Sequence, residues 1–349
     1  MNPITIGDIQ IGLGRAPFII AEMSGNHGQS LDKAYRLIDA AAEAGAHAIK
    51  LQTYTPDTIT LDCHEGEFFI EDPNSLWKGN SLYNLYKEAM TPWEWHKELF
   101  DYAKEKGLLA FSTPFDLTAV DFLETLNPPC YKVASFENTD HAILAAVAKT
   151  GKPVIVSTGM ASQSEIAESV EVLRANGCKD LVLLKCTSNY PANPVDANLK
   201  TIPHLSELFD CQVGLSDHTP GVGVAVAAVA LGATVIEKHF VLDRKGGEVD
   251  AEFSLEPHEI KLLVEETARA AVAIGKVSYG ATEREKASLV HRRSLYIAQD
   301  MKAGDTLTAE NLRSVRPGLG LPPKYLPLLL GKQIKCDAPK GTPMSWELL

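Results

Sequence analysis

Eight times within about 275 residues this chain repeats one pattern: a short apolar, often β-branched run breaks into polar residues, then yields to helical spacing or a long connection. The runs are 17–21, 48–53, 108–111, 131–134, 153–156, 181–186, 211–215 and 234–236. Strands joined through helices run parallel. Eight of them match an α/β architecture of the (β/α)8 TIM barrel type better than an open doubly wound sheet, which seldom needs so many. A barrel gathers its active site at the carboxyl ends of its strands. There this sequence places Glu22, Lys50, Thr113, Lys132, Ser135, Glu137, Ser157, Tyr190, Ser216, His218, Glu237 and His239. Strand ends need something polar to satisfy the backbone, but a dozen such residues on one face, several of them charged, exceeds that need.

Between 54 and 91 the pattern fails, and this aromatic, turn-rich segment reads as an insertion over one face. Regularity resumes at Thr91-Pro92-Trp93-Glu94, which predicts an N-cap, a first helical residue and a capping-box partner. The domain layout expected is a barrel over 1–278, a charged, extended linker over 279–293 and a small β-rich module over 294–349. A module of about 55 residues is small for a core of its own, so it is expected to lean on the barrel or on another subunit. A net charge of -12 without basic runs excludes nucleic acid as a partner. No apolar run approaches the ~20 residues that span a bilayer, and no membrane partner is expected. Residues 1–12 lack a charged-then-apolar leader pattern, and a cytoplasmic location is expected. Cysteines 63, 130, 178, 186, 211 and 336 are scattered without a C-x-x-C pair, as expected of reduced, mostly buried thiols.

The stretch 214–240, GLSDHTPGVGVAVAAVALGATVIEKHF, ends two successive strands in a histidine each. Parallel strands bring His218 and His239 to the same edge, with Asp217, Glu237 and Asp250 nearby in sequence. Either histidine alone reads as a hydrogen-bonded strand-end residue. Together they suggest half of a divalent-metal site. Lys50, Lys132, Ser135 and Ser157 at the same mouth suit a phosphate and a carboxylate, while a metal beside them would polarise a carbonyl on a second substrate. The combination describes an enzyme that joins a phosphorylated acid to an aldehyde. Lys132 by itself also admits a Schiff-base aldolase.

Nine motifs resemble the NeuB-type sialic acid synthase family, in the family's order: IIAEMSGNHG (19–28), AIKLQT (48–53), FSTPFD (111–116), YKVASFEN (131–138), VSTGM (156–160), KCTSNYP (185–191), GLSDHT (214–219), EKHF (237–240) and VRPGLG (315–320). The resemblance implies condensation of phosphoenolpyruvate with an open-chain amino sugar, giving a nonulosonic acid and phosphate, with Mn2+ or Mg2+ as cofactor. It implies catalytic roles for Glu22, Glu137 and Asp250, and phosphoenolpyruvate contacts from Lys50, Thr113, Lys132, Ser135, Ser157 and Ser216. Sugar contacts are implied for Tyr190 and Arg316, and metal ligation for His218 and His239. The module 294–349 is similar to the antifreeze-like (SAF) domain, which implies a domain-swapped homodimer whose Arg316 reaches the neighbouring subunit's site. One departure is Ser188, where the sialic acid enzymes carry an asparagine. The stretch LYNLYKEAMTPWEWH (82–96) resembles the pseudaminic acid synthase branch, implying 2,4-diacetamido-2,4,6-trideoxy-L-altrose as the sugar. Synthases of N-acetylneuraminate or legionaminic acid are the alternatives within the family.

Overall fold

The computed structural model describes residues 2–73 and 75–349. Its chain divides into two compact units, the first ending at Gly275 and the second running from Lys276 to Leu349. The first unit holds eight parallel strands: β1 (Phe18–Glu22), β2 (Ala48–Thr53), β3 (Leu109–Pro114), β4 (Tyr131–Val133), β5 (Val154–Ser157), β6 (Leu181–Cys186), β7 (Gln212–Asp217) and β8 (Val235–His239). They pair in the order β3-β2-β1-β8-β7-β6-β5-β4, and the end strands β3 and β4 pack against each other, so the sheet nearly closes into a barrel. Helices follow the strands in sequence and cover the outside. The helix Leu31–Glu43 shows why: Ala34, Leu37, Ile38 and Ala41 recur at three- and four-residue spacing and are its buried face, and the Ser30 side chain caps its start by accepting from the Lys33 N–H.

Side chains of a strand alternate between two faces, and the barrel sorts them accordingly. Phe18, Ile20, Ala48, Phe111, Cys130, Ile155, Val182, Leu184 and Val235 form an inner cluster, whereas Ile19, Ala21, Ile49, Leu51, Ala110, Tyr131, Val133, Val154, Val156, Leu183, Val213 and Ile236 belong to the outer layer beneath the helices. A hairpin of Ile4–Ile6 with Ile9–Ile11, unforeseen from the sequence, joins the inner cluster through Ile4, Ile6 and Ile11. The inner space is tight at Gly214. A Cβ there would meet the Val235 carbonyl oxygen at 2.1 Å and Leu184 Cδ2 at 2.7 Å, so β7 approaches its neighbours only as glycine.

Three expectations are corrected. Thr91 is not the cap of the helix Trp93–Glu105; the cap position is Pro92, and the fully buried Thr91 hydroxyl instead meets His27 Nε2 at 3.2 Å. The segment 279–293 is not simply extended, because Lys286–His291 coils into a 3-10 helix and the whole segment belongs to the second compact unit. That unit also has a core of its own, in which Leu295, Ile297, Leu307, Leu312, Leu329, Ile334 and Met344 are buried together around the antiparallel pair Ser294–Ile297 and Leu312–Val315. All six cysteines are free, four of them buried. Among the described residues, no helix is long and apolar enough to cross a membrane.

Two buried histidines tie the insertion to the barrel. His27 meets Thr91, and His96 Nε2 lies 2.8 Å from the Thr53 hydroxyl at the end of β2. Burial, aided by the neighbouring His96, pushes His27 down to about 4, and burial does the same to His96. Both stay neutral in the fold between about pH 4 and 6.5, a window in which the unfolded chain takes up protons. Their contribution is therefore complete above pH 6.5 and is lost as the pH falls towards 4, on the order of 3 kcal/mol for each histidine. Glu22 and Glu137, raised to about 7 by burial, contribute in the opposite sense over the same range, so the test is a difference: in urea unfolding, the stability of the parent relative to a His27→Gln/His96→Gln double variant should fall as the pH is lowered from 6.5 to 4. A difference that stays constant with pH would remove these histidines as a source of pH dependence.

Candidate active site

The inner parity that buries Val235 also turns Glu237 and His239 inward, and the same count on the other strands turns Glu22, Lys50, Gln52, Thr113, Lys132, Ser157, Cys186 and Ser216 inward. The apolar inner layer thus gives way to a polar one at the carboxyl end of every strand. Lys50, Gln52, Thr113, Lys132, Ser135, Ser157, Cys186, Tyr190, Ser216, His218, Glu237 and His239, together with Ala134 and Phe136, line a cavity there.

Its floor is a network of buried charge. Lys50 is ion-paired with Glu22, donates to the Thr113 hydroxyl at 3.1 Å, and lies 3.8 Å from Glu237. Lys132 donates to Ser157 Oγ at 2.7 Å and to the Val133 carbonyl at 3.2 Å, and lies 3.7 Å from the same Glu237 oxygen. The Ser216 hydroxyl donates to that oxygen at 3.3 Å, while Glu237 Oε2 is buried without a hydrogen-bond partner. Burial favours the neutral carboxyl of Glu237, but Lys132 and Lys50 prevail and hold it below its ordinary value. Burial dominates at Glu22, which is pushed up to about 7 despite Lys50. Burial also pushes Lys132 below its ordinary value, whereas Lys50, against the same effect, is lifted by Glu22 and Glu237.

The wall opposite is aromatic. The rings of His218 and His239 lie 5.3 Å apart between centroids, with Tyr190 4.4 Å from His218 and Phe253 4.9 Å from His239. His218 Nδ1 donates to the Thr187 carbonyl at 3.0 Å, which leaves Nε2 as its free nitrogen. His239 Nδ1 is buried with no hydrogen-bond partner, and burial followed by the charge of His218 drives its pKa well below the ordinary value. One ring oriented by a backbone carbonyl beside another with an unpartnered, neutral nitrogen is a donor pair that fits a divalent ion.

Asp250 approaches this pair, its Oδ2 3.9 Å from His239 Nδ1, and burial raises its pKa. Glu137 sits in the 3-10 turn after β4, beside Phe136, and burial pushes it up to about 7 against the pull of Lys132. From the insertion, Trp77 Nε1 donates to the Val249 carbonyl at 3.0 Å and its ring lies 6.3 Å from that of Tyr190. The expected lysines, hydroxyls, Tyr190 and both histidines are therefore brought to one mouth, with Glu22 paired to its Lys50 and Asp250 beside its His239, whereas Glu137 lines a neighbouring surface cavity with Thr58, Phe115 and Phe136. Arg316 belongs to the second unit, where it is exposed in the loop after Leu312–Val315; Ser294 Oγ donates to the Pro317 carbonyl and accepts from the Gly320 N–H, pinning that loop. The sequence reading assigned no role to Glu237, although it lies between the two lysines. The available signal was its parity, two residues before His239 on one strand. Gln52, Cys186 and Phe253 were missed too, and Phe253 has no local signal at all.

The sequence signature of the NeuB family matches residues 37–279, and that of the SAF domain matches residues 292–349. The pseudaminic acid synthase of Campylobacter jejuni is 46% identical over 324 residues, which cover 93% of this chain and 94% of that protein. The N,N'-diacetyllegionaminic acid synthase of the same organism is 36% identical over 318 residues, covering 90% and 94%. Among solved structures, the N-acetylneuraminic acid synthetase of Leptospira borgpetersenii in complex with citrate is similar with a TM-score of 0.73 at 35% identity, covering 82% of this chain and 95% of that one.

Proposed function

We propose that this chain, which belongs to the NeuB family, is a phosphoenolpyruvate-dependent synthase that condenses this acid with 2,4-diacetamido-2,4,6-trideoxy-L-altrose to give pseudaminic acid and phosphate. The observation that carries the reaction is the pair of buried lysines, each within 4 Å of Glu237, at the mouth that also holds His218 and His239. The choice of sugar is supported by the greater identity to the pseudaminic than to the legionaminic synthase, 46% against 36%.

Lys50 and Lys132 are assigned to the phosphate and carboxylate of phosphoenolpyruvate, with Thr113, Ser135, Ser157 and Ser216 as neutral donors around them. Glu22, drawn towards its neutral form, leaves the two lysines a surplus of positive charge for that anion. Carbon 3 of phosphoenolpyruvate bonds to the aldehyde carbon, whose oxygen takes a proton and becomes a hydroxyl. Water adds at carbon 2 and loses one proton; the hydroxyl so formed then gives its second proton to the departing phosphate as carbon 2 becomes a carbonyl and its bond to the bridging oxygen breaks. Glu22 and Glu137, both at about 7, are assigned to proton exchange near neutral pH, and Asp250 to holding the sugar and the incoming water. His218 and His239 would hold a divalent ion, Mn2+ or Mg2+, which when bound supplies Lewis-acid polarisation of the aldehyde oxygen. Tyr190, with Trp77 and Phe253 behind it, offers an aromatic face to the deoxy end of the sugar. Arg316 is assigned to sugar contacts in the partner subunit of a homodimer.

The test is phosphate release from bridging-¹⁸O phosphoenolpyruvate across a panel of amino sugars. The label should leave with phosphate, and the 4-acetamido-6-deoxy sugar should exceed N-acetylmannosamine by about 100-fold or more in kcat/KM, because a site built for a buried acetamido group is left with an unpaired partner when a hydroxyl replaces it. Comparable kcat/KM values would overturn the sugar. Label retained in the organic product, or no release with any sugar, would overturn the reaction.

A further inference from the structure

Ser24 belongs neither to the anion-binding groups nor to the histidine pair, yet it touches two of the site's carboxylates at once. Its backbone N–H donates to Glu22 Oε1 at 3.0 Å and its hydroxyl donates to Asp250 Oδ2. The residue is buried, and its φ of 46° lies in the left-handed region, which glycine enters freely and serine only at a cost. A costly backbone conformation held at a buried polar residue points to work done by the side chain.

The surroundings define that work. Glu22 is held on its other oxygen by Lys50, and the Asp250 carboxylate lies beside His239. Ser24 is thus the link between the lysine side and the histidine side of the mouth. The backbone around Asp250 is secured separately: Asn26 Nδ2 donates to Ser254 Oγ at 2.8 Å and to the Phe240 carbonyl at 2.9 Å, and Ser254 Oγ donates to the Asp250 carbonyl at 2.6 Å. Loss of the Ser24 hydroxyl therefore leaves the turn in place and removes one of two bonds that orient the Asp250 carboxylate, the other coming from the Gly25 backbone N–H.

We propose that Ser24 is a positioning residue for the condensation, its hydroxyl fixing the Asp250 carboxylate beside the histidine pair while its N–H orients Glu22. This rests on the role given to Asp250 above. The experiment uses Ser24→Gly, which removes the hydroxyl, keeps the N–H and relieves the backbone. A purely structural serine would make this variant less stable and leave kcat unchanged. The expected result is an unfolding midpoint that does not fall, an unchanged KM for phosphoenolpyruvate, and a kcat lowered roughly 10- to 100-fold, the worth of a hydrogen bond to a carboxylate. In an Asp250→Ala background the same change should cost nothing further, because its effect passes through Asp250. Unaltered kcat in Ser24→Gly, or losses that multiply in the double variant, would overturn the inference while leaving Asp250 in place. Full activity of Asp250→Ala would overturn both the inference and the role of Asp250.

Discussion

His218→Ala and His239→Ala are each expected to lower turnover by roughly 1000-fold or more, because a bound divalent ion contributes several kcal/mol of charge stabilisation that two imidazoles hold in place. Thermal unfolding should change little by comparison. Both rings lie at the mouth rather than in either apolar layer, and His239 contributes a buried nitrogen that bonds to nothing in the protein. Removing an unpartnered polar atom from the interior can even stabilise. Exhaustive chelation of the parent enzyme should reproduce the loss, with activity returning on addition of Mn2+ or Mg2+. The alanine variants should not recover under the same addition. Full activity of both variants after chelation would eliminate the histidine pair as an ion site and leave the aldehyde to be polarised by protein groups alone.

Mixing two inactive chains should restore activity, and by a defined amount. A Lys132→Ala chain lacks a lysine of the anion site; an Arg316→Ala chain lacks the arginine of the second unit. If Arg316 serves the partner's barrel in a two-fold dimer, half of the dimers in an equal mixture are mixed and each has one intact site, so about a quarter of parental activity returns. If Arg316 serves its own barrel, no site in any dimer has both groups and nothing returns. Subunit exchange, followed independently with a labelled chain, makes the second outcome decisive. The loop that carries Arg316 is held in place by its own hydrogen bonds. Ser294 bonds on both sides of the turn, and a Cβ at Gly320 would meet the Leu295 carbonyl oxygen at 2.2 Å, so the loop closes tightly on the strand beneath it and leaves Arg316 exposed.

The barrel was legible because its signal is local and repeated. Each strand is an apolar run of a few residues, and several helices carry their own start signal, as in the capping box of Ser162 and Glu165 ahead of Gln163–Ala175. The mouth was legible for the same reason, since the polar residue that ends a run is adjacent to it in sequence. Thr91 shows where this fails. Its position before Pro92 satisfied every local rule for a cap, but the hydroxyl found a better partner in His27, 64 residues away in sequence. The hairpin at the amino end failed differently, because two strands of three residues each are too short to show a period.

By itself the sequence determined the eight strands of the barrel, which of them end in ionisable residues, and that lysines, carboxylates and two histidines share one face of the sheet. These follow from side-chain periodicity and chain connectivity. Only the tertiary structure decided which of those residues meet. Strand register and near-closure of the ring bring Lys50 from β2 and Lys132 from β4 to one oxygen of Glu237 on β8, and the turn at 24–27 reaches across to Asp250, 226 residues away in sequence. Whether a carboxylate in such a place is charged depends on its burial and on its nearest cation, which act over a few ångströms through space. That is why Glu22 is pushed up and Glu237 held down within one network.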